Sequence, residues 1–240
     1  MIRISDQQLE EFQQALPWDA AMRLPDGRVL GRPGKRGSIS EEGDFRVRAV
    51  AEQLGGSDSR ILEVGSHEGI HTVQLAQIAR EVVALEVRPK NVACALTRLF
   101  VHDVDNVKVV LGDARDIDPS FGRFDIVFHV GVLYHLLDPV EHLYALATAA
   151  DQLLLDTHYG PPNEPGERET LDHDGRRYET YRSREGGLSD SFSGVDDFSR
   201  WLARDSLLEL VRDAGFRDVE VIDDRVERNG ARITLIGRKG

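Results

Sequence analysis

Between Arg60 and His158 the chain sets short apolar runs against longer stretches in which apolar residues recur every three or four positions. The runs are RILEVG (60–65), VVALEV (82–87), VKVVLG (107–112), FDIVFHV (124–130) and QLLLDTH (152–158). None alternates apolar with polar, as a strand with one wet face does. Continuous apolar strands separated by amphipathic helices predict a parallel sheet covered on both faces. The intervening helices fall at about 70–80, from Pro89 onward, and at 138–149; proline suits the first helical position, where no N–H is required. The rhythm stops at 159–200, a polar stretch rich in glycine and proline. Within it, ETLDHDGRRYETY alternates about Asp174-Gly175 and predicts a hairpin. The pattern returns with SLLELVRDAG (206–215), a helix stopped by Gly215. It ends with VEVIDD and ARITLIGR, an antiparallel pair joined by ERNG.

Upstream, Leu9, Phe12 and Leu16 share one face of a helix predicted from Ser5 to Leu16. Residues 17–40 hold too many prolines and glycines to form a long helix. A second helix is predicted from Asp44 to Leu54. These divisions predict a segment at 1–43 that covers a pocket, and a main domain at 44–240. Residues 159–200 are an insertion in that domain, a lid or substrate-recognition segment.

The chain has 240 residues, 40% hydrophobic and 30% charged, enough for one α/β domain with a lid. Forty-two acidic against 30 basic residues give a net charge of −12, which weighs against a phosphate backbone as partner. The lone cysteine, Cys94, rules out internal disulfides. No run reaches the length of a membrane span, and MIRISDQQLEEF lacks the apolar core of a secretion signal. A cytoplasmic chain with no membrane partner is the expectation.

In an open parallel sheet, ligands sit outside the carboxyl ends of the strands. Gly65-Ser66-His67-Glu68-Gly69 follows the first strand, with His67 where a dinucleotide fingerprint has its middle glycine. That substitution argues against a pyrophosphate and against a nicotinamide-dependent oxidoreductase. Glu86, ending the second strand, is suited to accept from both hydroxyls of a ribose. Asp113, after the third, is suited to accept from the exocyclic amine of adenine. An adenosine with a small, net-positive tail fits this set.

LEVGSHEG, ALEV, GDA and FDIVFHVGVLYHLLDP resemble, in order and spacing, the signature motifs of class I S-adenosylmethionine-dependent methyltransferases. The resemblance covers about residues 45–156 and 201–240. It implies the Rossmann-like α/β fold of that family, with helices on both faces of a mostly parallel seven-stranded sheet. The resemblance implies that the last strand of the C-terminal antiparallel hairpin lies between the fifth and sixth strand positions. It further implies S-adenosyl-L-methionine as cofactor. Glu63, Gly65 and Gly69 would shape the methionine site, Glu86 would hold the ribose, and Asp113 with Ala114 the adenine. Ser66, His67, Val87 and Val130 join the cofactor set on the same ground. GVLYH followed by an Asp-Pro pair is similar to a narrower group, the tRNA wobble-uridine carboxymethyl-transferring enzymes and many natural-product methyltransferases. The N-terminal PW…LPDG…G points the same way.

His135, after the fourth strand, is suited to take a proton from a hydroxyl acceptor, since neutral imidazole is a base near pH 7. His158 and Asp156, on the fifth strand, compete for that role. His129 reads as a hydrogen-bonded core residue and His71 as part of its helix's first turn. Lys35, Arg36, Arg176, Arg177, Arg182 and Arg184 either recognise an anionic group or are solvated loop charge. Tyr178 and Tyr181 either face the pocket or staple the hairpin. The histidines look scattered, and no metal site is expected. The expectation is in-line methyl transfer to a small-molecule acceptor, through oxygen. The alternatives are a tRNA-modifying methyl or carboxymethyl transferase, and a non-catalytic nucleoside-binding partner protein.

Overall fold

Four of the five apolar runs form strands buried on both faces. Ile61, Leu62, Val82, Val83 and Ala84 are wholly buried, as are Ile126, Val127, Leu153, Leu154 and Leu155. Burial of each such leucine, isoleucine or valine contributes about 1.5–3 kcal/mol. The computed structural model describes residues 4–32, 39–40, 43–117, 119–163 and 166–240, in two units, Met1–Asp113 and Ala114–Gly240.

The first unit begins with α1 (Asp6–Ala15), whose Ser5 N-cap and Gln8 exchange the two hydrogen bonds of a capping box. β1 (Ala21–Arg23), β2 (Val29–Gly31) and β3 (Ile39–Ser40) form a small sheet in the order β2-β1-β3. Residues 17–32 and 39–40 therefore avoid the long helix that their composition excludes, but they carry strands the apolar pattern does not announce. Trp18, Leu24 and Leu30 pack with Cys94 and Val101, and Leu9, Phe12 and Leu16 lie against that cluster. α2 (Phe45–Ala49) is capped by Asp44 and continues as π-helical turns over Val50–Gly55. β4 (Arg60–Val64), β5 (Glu81–Glu86) and β6 (Val107–Leu111) are parallel, joined by α3 (Ile70–Ala76) and α4 (Pro89–Val101). α3 stops four residues before the predicted end. The chain turns at 77–80 so that the Arg80 N–H reaches the Ser59 carbonyl at 3.0 Å. β6 is an edge strand, with Lys108 and Leu111 exposed.

In the second unit β7 (Phe124–Val130) and β8 (Ala150–His158) are parallel and flank α5 (Pro139–Ala149), which is capped by Asp138. β9 (Arg168–His173), β10 (Arg176–Arg184) and β11 (Phe198–Leu202) form a second small sheet, order β11-β10-β9. The turn at Asp174-Gly175 is where the sequence places it. α6 (Arg204–Ala214) ends at Gly215, φ 125°, and leads into the antiparallel pair β12 (Asp218–Glu227) and β13 (Gly230–Arg238). A Cβ at Gly237 would lie 2.8 Å from that of Phe216, so the missing side chain lets the ring pack on β13. β13 runs antiparallel to both β8 and β12. The strand order is β12-β13-β8-β7-β4-β5-β6, the mostly parallel seven-stranded sheet expected. Among the described residues no helix is long and apolar enough to cross a membrane.

Candidate functional site

Gly65 leaves β4 with φ 74°, and its N–H and that of Ser66 both donate to the Leu85 carbonyl, at 2.9 and 3.0 Å. This lashes the loop to the end of β5. His67, in place of the middle glycine, still takes the left-handed conformation (φ 50°), at a steric cost of about 1–2 kcal/mol for an L residue. Its backbone N–H donates to Glu86 Oε2 at 2.9 Å. Gly69 (φ 80°) opens α3, and a Cβ there would lie 3.1 Å from that of Ala95. The close approach is thus to α4.

Glu86 is 4% exposed. Its Oε1 accepts from the Arg88 N–H at 2.9 Å and the Asn91 amide at 3.1 Å. With the His67 bond, three of a carboxylate's roughly four acceptor positions are used among the described residues and one remains on Oε2. Glu63 is buried below it in β4 and accepts from Thr72 Oγ1 at 2.6 Å. Burial raises its carboxyl to about 8; the Glu86 charge adds to the rise and the Thr72 bond opposes it. The Ser66 hydroxyl is buried without a hydrogen-bond partner among the described residues. Burial likewise lowers the His67 imidazole to about 4. Asp113 and Val87 are half-buried at the ends of β6 and β5. A Cβ at Gly112, beside Asp113, would lie 2.9 Å from Leu85 Cδ1.

The sequence reading passes over Glu68 and Arg98, both buried. Glu68 accepts from the backbone N–H groups of Asp19 (2.5 Å) and Ala20 (3.0 Å) and lies 3.5 Å from Arg98. Arg98 donates to the carbonyls of Glu68 (2.8 Å), Ala20 (3.2 Å) and Leu30 (3.5 Å). Its guanidinium sits 5.1 Å over the Trp18 ring. Burial lowers it to about 10, against the pull of Glu68. The N-terminal segment is thereby fixed to the glycine loop. An arginine on the apolar face of α4, between Cys94 and Val101, is the signal that could have revealed it.

His67-Glu68-Gly69-Ile70-His71 has the H-E-x-x-H spacing of a zinc helix, which a reading of the histidines as scattered misses. Here α3 begins only at Ile70, so His67 and His71 do not share a helix face. His71 lies 3.2 Å from Asp44. Burial works to raise the Asp44 carboxyl, but Arg46 and His71 hold it well below the usual range. No group of three or more metal-binding side chains is gathered among the described residues.

In the second unit, Ala114 and Val130 are half-buried. After β7, His135 Nδ1 lies 2.8 Å from Glu185 Oε1. Glu185 also takes Ser199 Oγ (2.6 Å), the Gly194 N–H (2.7 Å) and Ser193 Oγ. Burial pushes its carboxyl up, yet His135 and the serines hold it below its ordinary value. His158 Nδ1 donates to the Ala231 carbonyl at 3.0 Å, and its ring stacks on Trp201, centroids 5.0 Å apart. Tyr134 stands edge-on to both rings. Asp156 is fully buried and accepts from Arg232 Nε (2.6 Å), Arg225 (3.0 Å) and Thr234 Oγ1 (2.6 Å), which makes it an anchor of β13 rather than a base.

His129 bonds to His142, Nε2 to Nε2, at 2.9 Å in the core, as a hydrogen-bonded core residue should. Tyr178 is buried and donates to Asp213 at 2.9 Å, which ties its hairpin to α6, while Tyr181 donates to Glu179 on its own strand at 2.5 Å. Arg176 pairs with Asp213, and Arg182 lies 3.6 Å from Glu169. Arg177 and Arg184 are exposed, and Lys35 and Arg36 lie outside the described residues.

Residues 61–154 match a family model described as a methyltransferase domain. Protein-L-isoaspartate O-methyltransferase of Nitrobacter winogradskyi is 35% identical over 108 residues, 45% of this chain and 45% of that protein. The tRNA U34 carboxymethyltransferase of Shewanella pealeana is 25% identical over 183 residues, 63% of this chain and 53% of that one. The chain spans about half the length of these curated relatives. Over its whole length it is similar to the crystallised N-terminal domain of EvdMO1 with SAH bound: TM-score 0.81, 30% identity, 98% of this chain and 95% of that domain. The same domain, in the presence of SAH and D-fucose, gives a TM-score of 0.79.

Proposed function

The chain belongs to the class I S-adenosylmethionine-dependent methyltransferase family, and we propose that it methylates a hydroxyl oxygen of a small-molecule acceptor. The observation that carries the reading is the cradle at Glu86. A buried carboxylate keeps one acceptor position open, next to a buried Ser66 hydroxyl that lacks a partner among the described residues. A ribose supplies what both groups want. When bound, S-adenosylmethionine supplies a methyl group made electrophilic by the sulfonium.

The chain's own residues then do the following. Glu86 accepts from a ribose hydroxyl, and Asp113 with Ala114 receives the adenine edge. Glu63, its carboxyl raised by burial, ionises against a cationic tail, while Gly65, Gly69 and the His67 backbone shape the turn. Val87 and Val130 supply apolar walls at their strand ends. His135 would take the acceptor hydroxyl's proton as that oxygen receives the methyl group the cofactor would supply. Its ring is partly exposed, whereas the His158 ring is sealed under Trp201, which leaves His158 the lesser base. Residues 1–43 cover the glycine loop, and residues 159–200 carry acceptor recognition. Alignment supplies most of the rate, and a base adds about 10²- to 10⁴-fold.

D-fucose in the neighbour's crystals favours a hydroxylated small molecule. A tRNA acceptor, which the Shewanella relative's name gives for that protein, fits less well. The net charge is −12, and Arg176 and Arg182 already face Asp213 and Glu169. The test is calorimetry with S-adenosylhomocysteine, followed by mass spectrometry of hydroxylated sugars, D-fucose first, incubated with S-adenosylmethionine. Binding with a methylated product is expected. Failure to bind overturns the reading, and binding without transfer points to a non-catalytic partner.

A further inference from the structure

We propose that Glu185 is the positioning residue of His135: a saturated carboxylate that fixes the ring with its proton on Nδ1 and leaves Nε2 to receive the acceptor's proton. The inference rests on the methyl-transfer reading above and names the device that would prepare its base.

A carboxylate has two oxygens and about four lone-pair positions. Here His135 Nδ1 and Ser199 Oγ meet Oε1, while the Gly194 N–H and Ser193 Oγ meet Oε2. The Gly194 N–H and the two serine hydroxyls donate whichever way the ring is protonated, and the carboxyl is held below its ordinary value. Glu185 therefore remains an anion and can only accept. Since an ionised carboxylate accepts and never donates, the nitrogen facing it must carry the N–H, and the neutral ring has its lone pair on Nε2.

The arrangement is built by the chain rather than left by two charges meeting on a surface. The Glu185 side chain is 5% exposed. Its loop is tied at both ends, with the Glu185 N–H on the Asp197 carbonyl (3.0 Å) and the Gly186 N–H on Ser193 Oγ (2.6 Å). Gly194 closes the loop against His135 itself. A Cβ there would fall 2.6 Å from the His135 carbonyl oxygen and 3.3 Å from the Glu185 chain. Only a residue with no side chain brings the carboxylate this close. In the proposed reaction the hydroxyl proton of the acceptor passes to Nε2 and is later lost to water, while Glu185 takes no proton at any step.

The experiment is a long-range ¹H–¹⁵N correlation spectrum of the histidine rings in the full-length protein, in buffer alkaline enough for neutral imidazole. A His135→Gln sample identifies the signal. The wild type should show Nδ1 protonated and Nε2 bare, and Glu185→Ala should lose that preference. In the same variant, methylation of the sugar acceptor should fall about 10²-fold, the low end for a general base, with S-adenosylhomocysteine affinity unchanged within about twofold. A wild-type ring protonated on Nε2 overturns the proposal. So does a ring unmoved by Glu185→Ala, or turnover that survives it. The spectrum needs no acceptor, so it decides the tautomer even if methyl transfer itself is not found. If Glu185→Ala does not fold, the wild-type spectrum still decides, and Glu185→Gln serves for turnover.

Discussion

The backbone N–H of His67 donates to the Glu86 carboxylate at 2.9 Å, so the residue that replaces the middle glycine is held by the candidate ribose ligand. The loop can dispense with that glycine because its left-handed turn is stabilised from outside, by a charge-assisted bond, rather than by conformational freedom. Loop shape and the proposed ribose contact thus depend on one side chain.

Glu86→Ala should accordingly weaken S-adenosylhomocysteine by about 1.5–3 kcal/mol, the range for a hydrogen bond to a charged group. Calorimetry reads this directly. An unchanged dissociation constant would remove Glu86 from the cofactor site.

Glu63 predicts a pH dependence of definite sign. Its folded carboxyl titrates at about 8, against an ordinary value of 4.5, so between these the folded protein holds a proton that the unfolded chain has lost. Stability from this group falls as pH rises through that window and is constant outside it. Glu63→Gln, which keeps an acceptor for Thr72, should gain on the wild type between about pH 5 and about pH 8. Urea midpoints of both proteins at several pH values would show it, and parallel curves would refute it.

Gly69→Ala places a methyl group where φ is 80° and Ala95 Cβ lies only 3.1 Å away. Strain and overlap together should destabilise the protein by about 1–3 kcal/mol. Cofactor affinity should fall with it, because the turn moves. Chemical denaturation with and without S-adenosylhomocysteine separates the two effects.

Arg98→Met strands the Glu68 carboxylate in the interior and should cost about 3–5 kcal/mol. Adding Glu68→Gln should cost less than the sum of the single changes, since the two residues share partners. Limited proteolysis should cut residues 18–31 in the single variant before the rest of the chain unfolds. Resistance there would mean that apolar packing alone holds the segment.

β4, β5, β7 and β8 were legible because strands buried on both faces leave unbroken apolar runs. The Asp174-Gly175 turn and the Gly215 stop were legible because backbone geometry demands those residues. β1 to β3 were not, since strands of two or three residues carry no period. β11 was missed because Ser199 and Arg200 interrupt it, and Ser199 is buried for its bond to Glu185. Strand-end residues such as Glu63, Glu86 and Asp113 stand out by position alone. Glu185 does not, because its meaning depends on a histidine 50 positions away, which only the fold brings near.

Arg98 and Glu68 hold the N-terminal segment chiefly through main-chain carbonyls at Ala20 and Leu30 and main-chain amides at Asp19 and Ala20. Apart from the Trp18 ring, this clasp is indifferent to the letters it grips. A foreign stretch of equal length that kept Trp18 and the buried Leu24 and Leu30 would be seated by the same four bonds. The segment clasped to the glycine turn is in that sense partly an interchangeable part, whose exposed wording can be rewritten while its mounting and its buried leucines stay put.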